Sequence, residues 1–99
     1  MEKINLRELA PAAPWTPLGI GFIGDTVLRL VRIEGKYDWH RHEDKEEFFL
    51  VVSGVVVIET EEERLELCEW EGCKVPVGIL HRSQSALGAS ALIIEPVRH

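Results

Sequence analysis

The chain has 99 residues, 45% of them apolar and 28% charged, and carries a formal net charge of −6. That is room for one soluble globular domain, and the acidic balance argues against nucleic acid and against an anionic membrane surface, both of which attract basic faces. No stretch is apolar enough to span a bilayer, and Met1–Ala10, broken by Glu2, Lys3, Arg7 and Glu8, lacks the apolar run of a signal peptide, so a cytoplasmic protein is expected.

The first 18 residues contain Pro11, Pro14 and Pro17, each fixing its own φ and removing a backbone donor. They read as an extended arm rather than a helix, followed by a domain over residues 19–99. In that domain short runs rich in Val, Ile and Leu alternate with turn residues. The pattern predicts strands at Ile20–Phe22, Thr26–Ile33, Trp39–His42, Glu47–Val52, Val55–Thr60, Arg64–Cys68, Lys74–Val77, His81–Ser85 and Ala89–Glu95. Strands this short and evenly spaced predict an all-β sandwich or barrel. Glu47–Val52 is apolar on both faces, with Phe49 and Val51 on one and Phe48, Leu50 and Val52 on the other. A small barrel buries one face, so the second calls for another sheet or a partner chain, and a homodimer is expected.

Three of the four histidines fall in two tight contexts. His40 and His42 are two apart on a predicted strand, so alternation puts both rings on one face. The charged run Glu43-Asp44-Lys45-Glu46 then turns the chain, and a hairpin would return Glu47 beside them. His81 follows the turn-rich Val75-Pro76-Val77-Gly78. A His-x-His pair alone is more often structural, one glutamate among 17 acidic residues carries little weight, and His81 alone could be a satisfied barrel histidine. Together, three imidazoles and a carboxylate make a nitrogen–oxygen set suited to one divalent Fe, Mn, Ni, Co, Zn or Cu, with positions left open.

The stretch Gly35-Lys-Tyr-Asp-Trp-His40-Arg-His42-Glu-Asp-Lys-Glu-Glu47-Phe-Phe-Leu-Val-Val-Ser-Gly54 resembles the first cupin motif, and Gly72 to Ser85, with Pro76, Gly78 and His81 in order, resembles the second. The departures are a spacer one residue short after Gly35, a gap two residues short between Gly72 and Pro76, Trp70 where a turn glycine is expected, and Ser85 in place of an asparagine. The resemblance spans about Gly19 to Pro96 and fills all four ligand positions. It implies a cupin-type jelly-roll β-barrel, in one domain, housing a metal held by His40, His42, Glu47 and His81. It is nearest to small single-domain members labelled mannose-6-phosphate isomerase-like, but fold and ligand set are shared by dioxygenases, isomerases, decarboxylases and proteins without activity.

Two functions are therefore carried forward. One is a metal-dependent enzyme on a small polar or sugar-like molecule; the other is a non-catalytic cupin whose ion is mainly structural. A polar pocket beside the metal favours the first and a sealed apolar one the second. No catalytic residue is assigned: Asp38 shares parity with His40 and could orient a ring, but reads slightly better as an exposed strand start, whereas Tyr37 has the opposite parity. Arg29, Arg82 and Gln84 could reach a barrel mouth but read more simply as surface residues or ion pairs, and Trp15, Trp39 and Trp70 as packing anchors. Glu59 and Glu61–Glu63 read as a solvated hairpin tip. Cys68 and Cys73 flank a turn and are expected to be reduced thiols. His99, at the end, is expected to be disordered.

Overall fold

The computed structural model describes residues 1–97, so His99 lies outside the described residues. A single helical turn, α1 (Leu6–Leu9), precedes seven strands: β1 (Leu18–Ile23), β2 (Thr26–Lys36), β3 (Glu47–Ser53), β4 (Val56–Thr60), β5 (Arg64–Leu67), β6 (Gly72–Val75) and β7 (His81–Pro96). The helical turn was not expected in the arm. It forms because Asn5 caps it, its side-chain oxygen accepting from the backbone N–H groups of Arg7 and Glu8 at 3.1 and 3.2 Å. It ends before Pro11, where the extended path predicted from the prolines begins.

All pairings between strands are antiparallel, and β7 is the hub. Its first residues pair with β4 (Thr60 opposite His81), its later ones with β3 (Phe49 opposite Ile93), and β2 runs along its other side from Lys36–Gln84 to Thr26–Pro96. The two strands expected at 81–85 and 89–95 are thus one long strand. A bulge interrupts it, since Ile33 pairs with Ala89 while Gly35 pairs with Ser85; Gly88, at φ 93°, supplies the left-handed backbone.

Period-2 alternation sorts the side chains. Val31 and Ile33 of β2, Phe49 and Val51 of β3, Val56 and Ile58 of β4, and Ala89 and Ala91 of β7 form the interior core. The opposite face of the same strands carries Leu30, Val52 and Leu92, over which Leu6, Ala10, Ile20 and Leu50 pack. The second apolar face of β3 is therefore covered in part by the chain's own arm, which weakens the reason given for a partner. Phe48 on that face stays exposed, as do Phe22 and Ile23 on the edge strand β1.

The strand expected at Trp39–His42 is not formed. His40 makes one isolated antiparallel bridge with His81, through backbone hydrogen bonds of 3.0 and 2.9 Å, and the Gly78 N–H donates to the His42 carbonyl at 2.8 Å. The ladder stops after that bridge: in its register His42 faces Ile79, where the opposite segment is already turning through Gly78, at φ 77°. The turn expected near Glu69–Gly72 survives without its glycine, because Trp70 itself adopts φ 67°.

Candidate metal centre

Four side chains from four places in the sequence meet inside the barrel. Glu47 shares strand parity with Phe49 and Val51 and therefore points into the interior, where it is buried. His81 opens β7 and has no exposed surface at all (0%). His40 and His42 lie on the loop before β3, His40 brought in by its bridge to His81. One ligand atom from each of the four lies within 4.8 Å of all the others. The Glu47 Oε1 is 3.3 Å from His81 Nε2 and 3.4 Å from His42 Nε2, and the His40 and His81 rings are 4.3 Å apart.

The ring tautomers follow from the backbone. His40 Nδ1 lies 2.9 Å from the Asp38 carbonyl and His81 Nδ1 lies 2.8 Å from the Ile79 carbonyl. A carbonyl only accepts, so each Nδ1 carries a proton and each Nε2 faces the centre, as a lone pair once the ring is neutral. Asp38 thus orients a ring as considered from the sequence, but through its main chain. His42 Nε2 is buried without a hydrogen-bond partner among the described residues. A buried orphan nitrogen facing a carboxylate and two further ring nitrogens is a donor set that a divalent transition metal satisfies.

The electrostatics agree. Burial pushes the Glu47 carboxyl up, but the hydrogen bond with His81 and the charge of His42 outweigh it and hold the group below its ordinary range. Burial pushes His81 down, and its bonds to Glu47 and to the Ile79 carbonyl outweigh that and raise it. A metal would take over the role the proton plays between these groups.

His40, His42 and Glu47 line a cavity of about 210 Å³. Its walls are largely apolar, with Trp15, Val31, Ile33, Phe49 and Ile93, and Tyr37 stands against His40 with ring centres 5.2 Å apart. Its other polar lining includes Arg29, Lys45, Ser83 and Glu95. Glu95 is 4% exposed and receives Arg29 at 3.0 Å and Lys45 at 3.2 Å. Of these, only Arg29 was singled out from the sequence. Parity was the available signal: Arg29 is in phase with Val31 and Ile33, and Glu95 with Ala91 and Ile93. Arg82 and Gln84 instead bond to Glu59, and Arg82 lies 4.6 Å over the Trp39 ring. Trp15 is a cavity wall as well as a packing anchor. A wider groove of about 600 Å³ under Glu61–Glu63 and Ile79 contains none of the four converging residues. Cys68 and Cys73 are free, and Glu61–Glu63 are exposed as expected.

No family model matches the chain. Among curated proteins, YdbB of Bacillus subtilis, itself uncharacterised, is 32% identical over 77 residues, covering 77% of this chain and 68% of that one. Among solved structures, a cupin-2 domain protein of Shewanella frigidimarina superposes with a TM-score of 0.89 at 30% identity, covering 95% of this chain and 94% of that one. A cupin-superfamily sugar phosphate isomerase of Silicibacter pomeroyi superposes at 0.70 with 18% identity, over 83% of this chain and 59% of that one, a likeness of fold alone.

Proposed function

Because the chain belongs to the cupin superfamily, with its all-β jelly-roll barrel, we propose that it holds one divalent transition metal on His40, His42, Glu47 and His81 and acts there on a small polar molecule. When bound, the ion supplies Lewis acidity or redox chemistry. The chain's part is to fix three neutral nitrogens and one carboxylate, with ring orientation set by the Asp38 and Ile79 carbonyls. The observation that favours an acting site over a structural ion is the cavity. His40, His42 and Glu47 open onto a space of about 210 Å³ that also holds Arg29, Lys45 and Glu95, where a structural ion needs only a sealed apolar surround.

Elemental analysis of untagged protein purified without chelator tests the first part. About one transition-metal equivalent per chain is expected, lost in Glu47→Gln; none in the wild type, under metal-replete growth, would overturn it. A cytoplasmic setting accords with the two free thiols. A homodimer accords with Phe22 and Ile23 standing 69% and 72% exposed on an edge strand, and a light-scattering mass near 11.2 kDa rather than twice that would refute it.

A further inference from the structure

Resting on that metal reading, we infer that Arg29 and Lys45 form an anion subsite beside the ion, and that the small molecule taken by the cavity carries an oxyanion group, a carboxylate or a phosphate monoester. The cavity concentrates charge beside apolar walls. With neutral rings, the charged groups lining the cavity cancel: Arg29 and Lys45 against Glu47 and Glu95. A divalent ion then leaves two positive charges in excess, between walls of Trp15, Val31, Phe49 and Ile93 that do little to screen them. An uncompensated charge in such a place is costly, and an incoming anion removes the cost.

Donors are at hand to receive it. Arg29 meets Glu95 through one terminal nitrogen at 3.0 Å, and a guanidinium offers five N–H groups. The Lys45 ammonium is 3.2 Å from Glu95 Oε2 but does not align to make a hydrogen bond there: that oxygen is buried with no hydrogen-bond partner. Glu95 and both cations line the same cavity as the ligands Glu47, His40 and His42, which places the cations beside the metal ligands. Glu95 acts as a positioning residue that holds both cations over the cavity and also competes with the ligand for them. That second role separates the subsite from a merely structural ion triad.

The test is calorimetric titration of Co(II)-loaded protein with glycolate, with methyl phosphate and with neutral ethylene glycol, metal content being measured on the same samples. At least one anion is expected to bind, and ethylene glycol not to. Lys45→Met and Arg29→Gln should each weaken anion binding by about tenfold or more with cobalt content unchanged, as loss of a hydrogen bond to a charged group implies. Glu95→Gln should tighten it. The responding anion identifies the oxyanion class. Cobalt-loaded variants that bind glycolate and methyl phosphate as the wild type does, or a wild type that binds ethylene glycol as well as either, would overturn the subsite while leaving the metal reading intact. A wild type that takes up no cobalt overturns the metal reading and this one with it. Should Glu95→Gln fail to fold, the two cation variants decide.

Discussion

His81 carries more of the apo fold than any other group in the centre, and His81→Ala in chelator-treated protein should show it. The ring has no exposed surface, donates to the Ile79 carbonyl at 2.8 Å, and meets Glu47 at 3.3 Å. Deleting a buried side chain of this size costs about 2–4 kcal/mol, and the truncation also strands a buried carboxylate. Because these terms overlap, the expected loss is about 3–5 kcal/mol, the figure for breaking a buried pair. His42→Ala removes a side chain that is 29% exposed and 3.4 Å from Glu47, so about 1 kcal/mol is expected. With an m-value of about 1–1.5 kcal/mol/M, urea unfolding should place the His81→Ala midpoint about 2–5 M below wild type, and that of His42→Ala about 1 M below or less. The pH dependence carries the signature. Glu47 is held below its ordinary value of 4.5, so its contribution is present above that pH and lost as acid is added. His81 is raised above its ordinary 6.5, so its contribution is present below that pH and lost as pH climbs through the raised value. The gap between wild type and His81→Ala should be widest between about pH 4.5 and 6.5 and narrow in alkali. Equal midpoints for the two alanine variants, or a gap that widens with pH, would refute the reasoning.

Three other outcomes are expected. Since His81 must lose its proton to ligate and its pKa lies above 6.5, competition with a chromophoric chelator should show metal affinity about tenfold or more weaker at pH 5.5 than at 7.5; a flat profile contradicts the ligand assignment. Gly54→Ala should destabilise the fold by at least about 1–2 kcal/mol in thermal melts, because Gly54 sits at φ 80° and a Cβ there would come 2.7 Å from the Gly88 carbonyl oxygen. Trp70→Gly should raise the melting temperature modestly, by relieving about 0.5–1 kcal/mol of left-handed strain at an exposed residue; a lower melting temperature would mean that the indole packs more than its exposure suggests.

What the sequence disclosed and what it hid have physical causes. The all-β class was legible because Phe49 and Val51, or Val31 and Ile33, alternate with period 2, and all four converging side chains were legible as two motifs. The strand expected through His40 and His42 is not formed: a ladder needs a regular neighbour, and the segment facing His42 is turning through Gly78. The two rings nonetheless meet, held by backbone bonds to His81 and Gly78 rather than by strand alternation. Parity marks Glu95 as inward-facing but gives it no partner, and Lys45 lies in a charged turn where nothing local sets it apart. They become a cluster with Arg29 only once β2 and β7 pair, with Val27 opposite Glu95.

The central position of β7 also bears on how the chain comes to be folded. This strand follows all its partners in the sequence, yet β2, β3 and β4 each lie against it. Until it has left the ribosome, only the hairpins β1–β2 and β4–β5 and the β3–β6 pair can form, and isolated two-stranded units are marginal in water. The nascent chain is then a set of exposed Val- and Ile-rich edges awaiting a template, and closure is slow, since contacts between distant residues must be made at once. The barrel cannot close before β7 is available, and a ribosome stalled before residue 81 presents a chaperone client rather than a partly built protein.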